Sequence, residues 1–146
     1  MSSLISNYII LKEHYLLIEH HTGNLDLESY INFVTNTTLD PSFSVNMNYF
    51  IDFSNVVVTA SIDDIVKYNN FTETNFIPER KKKIAIVTKT PKQMVFATLF
   101  KNSNTQKLKK IEIFSTNESA IQWINSSLSQ EEILTVFSNL KEYSLK

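Results

Sequence analysis

The sequence predicts an α/β fold: a five-stranded, mixed and mostly parallel sheet flanked by helices, with an antiparallel hairpin at its N-terminal end. Three observations carry this. After residue 45, short β-prone runs alternate with segments of helical apolar spacing, which implies right-handed crossovers between parallel strands. Ile84-Ala85-Ile86-Val87 is apolar without a break, as in a strand buried on both faces. The first two β-prone runs are separated only by Lys12-Glu13-His14, which reads as a hairpin turn.

Taken in order, Tyr8-Ile9-Ile10-Leu11 and Tyr15-Leu16-Leu17-Ile18 are the hairpin strands, with Gly23-Asn24 ending the overhang of the second. Leu27, Tyr30, Ile31 and Val34 follow at helical spacing, with Asn24 or Asp26 as the cap. Asp40-Pro41 breaks that helix, and Tyr49-Phe50-Ile51-Asp52-Phe53 is the third strand. The second helix begins at Ser61, with Asp64 completing an acidic form of the capping box and Ile62, Ile65 and Val66 expected inward. Pro78 closes the linker to the fourth strand. Thr90-Pro91-Lys92-Gln93 is a strong helix start, because Thr caps, Pro suits the first helical position and Gln closes the box. Met94, Val95, Leu99 and Phe100 are its expected buried stripe. Ile111-Glu112-Ile113-Phe114 is the fifth strand; Ser115 and Glu118 then box a helix carrying Ala120, Ile121, Trp123 and Ile124. Trp123 is expected to be largely buried. Ser129 and Glu132 form a last box, with Leu128 and Ile133 as a hydrophobic staple, and open a helix over residues 129–143. Residues 1–146 read as one domain with that helix as a C-terminal addition.

Composition excludes whole classes of chemistry. With no cysteine, there is no disulfide, thiol nucleophile or Cys-ligated zinc. With a single glycine, Gly23, neither a Walker loop nor a dinucleotide fingerprint can be built, so no nucleotide cofactor is expected. A net charge of -1 offers nucleic acid no global attraction. The start of the chain lacks the pattern of a signal peptide, and no segment reads as a membrane span; a cytoplasmic location is the expectation.

The order of elements resembles the SpoIIAA-like fold, shared by STAS domains and by small bacterial proteins described as STAS/Sec14-like. Asp52-Phe53-Ser54-Asn55-Val56 resembles the STAS stretch Asp-Leu-Ser-Gly-Val. Residues 84–91 resemble the strand and turn of the small proteins, and residues 113–124 resemble their closing motif of Phe, capping box, Glu-Ala and Trp-Leu. The likeness spans residues 8–124. It implies a non-catalytic regulatory or protein-binding module whose phosphoacceptor, if a switch exists, is Ser61 at the start of the second helix. STAS antagonists read Asp-Ser-Ser-Gly-Leu there, whereas this chain reads Ala60-Ser61-Ile62-Asp63-Asp64. A phosphate on Ser61 would face two like charges. Ser61 is therefore expected to act as a cap, with Ser54, Asn55, Ser61 and Thr88 forming an uncharged polar surface for a protein partner.

The remaining candidates have simpler readings beside them. His20 and His21 are adjacent, so on a strand they point to opposite faces and cannot chelate together; surface residues near a strand end are the simpler expectation. Asp52, Asp63 and Asp64 lack an activated nucleophile nearby, and first-turn carboxylates favour the helix dipole without further purpose. Arg80-Lys81-Lys82-Lys83 and Lys107-Leu108-Lys109-Lys110 each precede a strand; parallel pairing would bring both to one sheet edge, as a phosphate-binding patch or simply as solvated strand starts. The last helix has apolar residues on more than one side, so a homodimer through it is expected. The alternative function is a carrier of an apolar ligand, prompted by the likeness to lipid-carrying CRAL-TRIO domains. It requires a cavity of about 300 Å³ or more between helix and sheet.

Overall fold

A computed structural model describes residues 3–75, 81–104, 108–124 and 126–144. Pro78, Arg80 and Lys107 lie outside the described residues. Five strands form one sheet in the order β1-β2-β3-β4-β5: β1 (Ile5–Leu11), β2 (Leu16–Leu25), β3 (Asn48–Val58), β4 (Lys82–Val87) and β5 (Lys109–Phe114). β1 and β2 pair antiparallel, and β2 through β5 are parallel neighbours, as the alternation of strands and helices requires. The hairpin turn is a short 3₁₀ segment, with Tyr15 in the left-handed region at φ 51°. Gly23 does not end β2. It sits within the strand at φ 89°, a conformation that favours glycine.

The helices are α1 (Leu27–Thr38), α2 (Ile62–Asn75), α3 (Pro91–Asn102), α4 (Asn117–Ile124) and α5 (Gln130–Ser144). Each parallel neighbour is reached by a crossover that advances in the same direction across the sheet. Right-handed crossovers of that kind place their helices, α1, α2 and α3, on one face. The other face would be bare without α4 and α5, and two cores result. On the α4/α5 side Leu16, Ile18, Phe50, Ala85 and Val87 pack against Ile121, Ile124, Ile133 and Phe137. On the opposite side Ile51, Phe53, Ile84, Ile86 and Ile111 pack against Ala97, Tyr30 and Phe100.

Asp26 is the α1 cap, its carboxylate accepting from the Ser29 N–H. The Thr90–Gln93 box and the reciprocal boxes of Ser61 with Asp64 and Ser129 with Glu132 are formed. At α4 the cap is Thr116, whose hydroxyl accepts from the Ser119 N–H, in place of Ser115. On α2, Ile65 is buried while Ile62 and Val66 are exposed; on α3, Met94 and Val95 are exposed and Gln93 and Ala97 are buried. Both helices are rotated from the expected orientation because the positions facing the sheet carry polar or small residues that apolarity alone does not flag. Trp123 is half-buried: its ring meets Phe114 at 5.6 Å and lies under the Lys83 ammonium at 5.3 Å. The apolar residues of α5 turn to its own domain, with Ile133 and Phe137 buried and Leu134, Val136 and Leu140 packed against the same core.

Candidate functional site

Asp52 is not at a strand end. β3 continues to Val58, and a bulge between the His20–Asp52 and Thr22–Asn55 pairs shifts the alternation of its side chains. Phe53 and Val56 thereby share a face. The Asp52 carboxylate accepts from His20 Nδ1 at 2.9 Å and from the Ser54 N–H at 2.9 Å. Burial alone would raise this carboxyl; the hydrogen bonds from His20 and Ser54 together outweigh it and hold it below its usual range. The His20 ring is fully buried and nearly perpendicular to that of Phe137, and Nε2 has no partner among the described residues. The His20 and Asp52 side chains are both enclosed, at 0% and 2% exposure.

His21 takes the opposite face, as adjacent strand positions must. Its Nε2–H donates to the Glu19 carboxylate at 2.8 Å, and its Nδ1 is hydrogen-bonded to the Ser6 hydroxyl at 2.7 Å. Tyr30 also donates to Glu19, at 3.1 Å. Both histidines are buried, against the expectation of surface positions, because β2 lies inside the sheet and each ring has a carboxylate partner. No group of three or more His, Asp or Glu side chains among the described residues could hold a metal ion.

The expected polar surface is only partly a surface. Asn55 and Ser61 are exposed, Ser54 is half-buried, and Thr88 is 2% exposed, so Thr88 offers a partner nothing to read. Gln93 organises this region: its amide donates to the Ser54 and Val56 carbonyls, and its oxygen accepts from the Lys89 and Thr90 N–H groups. The Ser61 hydroxyl accepts from the Asp64 N–H at 3.2 Å, and Asp64 accepts from the Ser61 N–H at 2.8 Å.

An apolar recess lies elsewhere, between the sheet and α1, α2 and α3, with a volume of about 450 Å³. Strand alternation supplies its floor: Tyr49, Ile51 and Phe53 from β3, Ile84 and Ile86 from β4. Helical spacing supplies its walls: Tyr30 and Val34 from α1, Ile65 and Tyr68 from α2, Phe96, Ala97 and Phe100 from α3. α3 packs directly on β3 and β5, whereas α2 leans mainly on α1 and α3. Aromatic rings bridge the gap: Tyr30 meets Tyr68 at 5.5 Å and Phe53 at 5.8 Å, and Tyr68 meets Phe100 at 5.8 Å. Burial and the nearby Glu19 charge raise the Tyr30, Tyr49 and Tyr68 phenols, so all three are neutral donors.

The two ends of the recess differ in charge. Asp26 and Asp64 line the end beyond β2 and β3, each engaged in a helix cap. Lys82 and Lys109 line the other. They are register partners at the starts of β4 and β5, so the two basic clusters do meet. Burial pushes the Lys82 ammonium down to about 8, with the neighbouring Lys109 adding to it. Burial also lowers Lys109, opposed by the charge of Glu73. Sequence reading missed Tyr49, Tyr68, Lys82 and Lys109 as one site. The usable signal was the alternation Lys82-Ile84-Ile86 beside Lys109-Ile111-Ile113, which puts both lysines on an apolar face.

No family model matches the sequence, and no curated protein matches it. Among solved structures, an uncharacterised DUF3478-family protein from Shewanella loihica PV-4 with a SpoIIAA-like fold superposes with a TM-score of 0.53 at 15% identity. The superposition covers 85% of this chain and 98% of that one. No helix among the described residues is long and apolar enough to cross a membrane. With β1 antiparallel to β2, the other strands parallel and helices on both faces, the chain has the SpoIIAA-like fold.

Proposed function

We propose that this protein is a non-catalytic binding module that takes an apolar small molecule into the recess between its sheet and α1–α3. The observation that carries this reading is the recess itself: about 450 Å³, walled by aromatic rings. Ligand sites run from about 300 to 1,000 Å³ and are mostly apolar with a few convergent polar groups. Protein interiors otherwise fill space to the density of organic crystals. The carrier alternative therefore ranks above a Ser61 switch, whose hydroxyl is engaged in a helix cap beside two carboxylates. Regulation through a protein partner is the second reading, favoured by Ile62, Val66, Met94 and Val95, all exposed on α2 and α3.

Titration with the neutral fluorophore N-phenyl-1-naphthylamine tests the first reading. Wild-type protein should enhance its emission saturably, with one site per chain. Ala97→Phe and Thr72→Phe, which place a ring into the recess from α3 and α2, should abolish uptake while leaving the circular dichroism unchanged. No uptake by wild-type protein, or undiminished uptake by both folded variants, would refute the reading.

A further inference from the structure

We propose that the ligand of this recess is an amphipathic anion, its acidic head held by Lys82, Lys109 and the Tyr49 hydroxyl and its apolar body lying among the aromatic rings. The inference rests on the binding reading above and adds the chemical class of the ligand.

Four lysines begin β4 and β5, and the sheet sorts them. Lys82 is opposite Lys109, and Lys83 opposite Lys110. Alternation sends Lys83 to the other face, where its ammonium donates to the Trp123 carbonyl at 2.9 Å, and leaves Lys110 exposed. Lys82 and Lys109 are half-buried at the recess, on strands about 4.8 Å apart. The Lys82 ammonium lies 4.7 Å from the Tyr49 ring centre and 3.5 Å from its hydroxyl. The Lys109 ammonium lies 5.7 Å from the Phe100 ring centre. Among the described residues no carboxylate forms an ion pair with Lys82.

Two ammonium groups side by side on an apolar wall repel each other and lose hydration. Long lysine side chains ordinarily extend to water. Glu73 offsets part of this for Lys109, while Glu19 already accepts from His21 and Tyr30. An acidic group placed between the lysines would remove the repulsion and gain charge-assisted hydrogen bonds. The reverse orientation is disfavoured, since it would set the anion against Asp26 and Asp64. A carboxylate and a phosphate monoester share the required chemistry.

The test uses the full chain, with dodecanoate, dodecyl phosphate and dodecanol each displacing N-phenyl-1-naphthylamine at submicellar concentration. Wild-type protein should prefer at least one anion over the alcohol by about 10- to 100-fold, as expected for hydrogen bonds to charged groups; the tighter anion identifies the head. Lys82→Gln with Lys109→Gln should erase the preference while keeping the fluorophore and the alcohol. Lys82→Arg with Lys109→Arg should keep most of it. Equal affinity for anion and alcohol in wild-type protein, or a preference that survives the double Gln variant, overturns the anion inference and leaves the apolar recess standing. Binding of the fluorophore without any alkyl competitor also overturns it. Failure of the fluorophore itself to bind removes the recess reading and, with it, this one.

Discussion

Lys82 illustrates how a side chain can disfavour the fold that holds it. Its ammonium titrates near 8 in the folded protein and near 10.5 when exposed. Between these values the unfolded chain binds more protons, so the penalty is complete below about pH 8 and is relieved as pH rises toward about 10.5. Lys82→Met should therefore stabilise the ligand-free protein by about 1–2 kcal/mol near neutral pH, a figure discounted for partial exposure, with the gain shrinking toward about pH 10. Denaturant melts at the two pH values measure this; a variant less stable than wild type at neutral pH would contradict it. Asp52 has the opposite sign. Its carboxyl is held below 3.8, so its contribution is present above about pH 4 and is lost as pH falls through the folded value. Asp52→Ala should cost about 3–5 kcal/mol, because the buried His20 Nδ1–H and Ser54 N–H lose their acceptor. A loss below about 1 kcal/mol in denaturant melts would contradict the burial of that pair.

At the scale of elements, burial separates two aromatic residues that look alike in the sequence. Phe137 on α5 is 4% exposed and covers both His20 and Phe50, at ring distances of 5.8 and 5.3 Å. Trp123 on α4 is half-buried, with Phe114 on one side and the Lys83 ammonium over its ring. Phe137→Ala should cost about 3–5 kcal/mol, and Trp123→Ala should cost less, about 2–3 kcal/mol, despite the larger side chain. Paired denaturant melts decide the order, and the reverse order would mean that α5 is a loosely attached addition. α5 carries apolar residues on more of its circumference than one helix face accounts for. Its apolar positions spread around the helix because it meets β1, β2 and α4 together, and a helix in a three-sided groove needs a wider apolar stripe.

At the scale of the molecule, strand order and crossover handedness determine where a ligand can go. Three connecting helices crowd one face, with α3 seated on the sheet and α2 leaning mainly on α1 and α3. The recess is the volume left beneath them. A ligand bound there and not to the unfolded chain stabilises by mass action, by about 2.7 kcal/mol at 100 times its dissociation constant. For a chain of this length that corresponds to a rise in Tm of about 5–10 °C. Thermal scans with dodecanoate should show that rise in wild-type protein and lose it in Ala97→Phe; an equal rise in both would place the binding outside the recess.

Local physics made the elements legible. Caps such as Asp26, Ser61, Thr90 and Ser129 satisfy free N–H groups within one turn, and the run at 84–87 needs no knowledge of its partners to read as a buried strand. The parallel pairing of β3, β4 and β5 also followed, because a helix between two strands leaves few other connections. Helix rotation was not legible: Gln93 faces inward because Ser54 and Val56 offer it carbonyls from a strand 37 and 39 residues away, and composition ranks it polar. Nor was the burial of His20 and His21, which depends on Asp52 arriving across the sheet and Glu19 sharing a face with His21. The recess was least legible of all. A cavity is a shortfall of volume between elements, and its lining is gathered from four strands and three helices. Strands, helices and the meeting of two lysine clusters at one edge follow from local pattern and connectivity; which lysines turn toward an apolar space follows from alternation, register and helix standoff acting together in the folded chain.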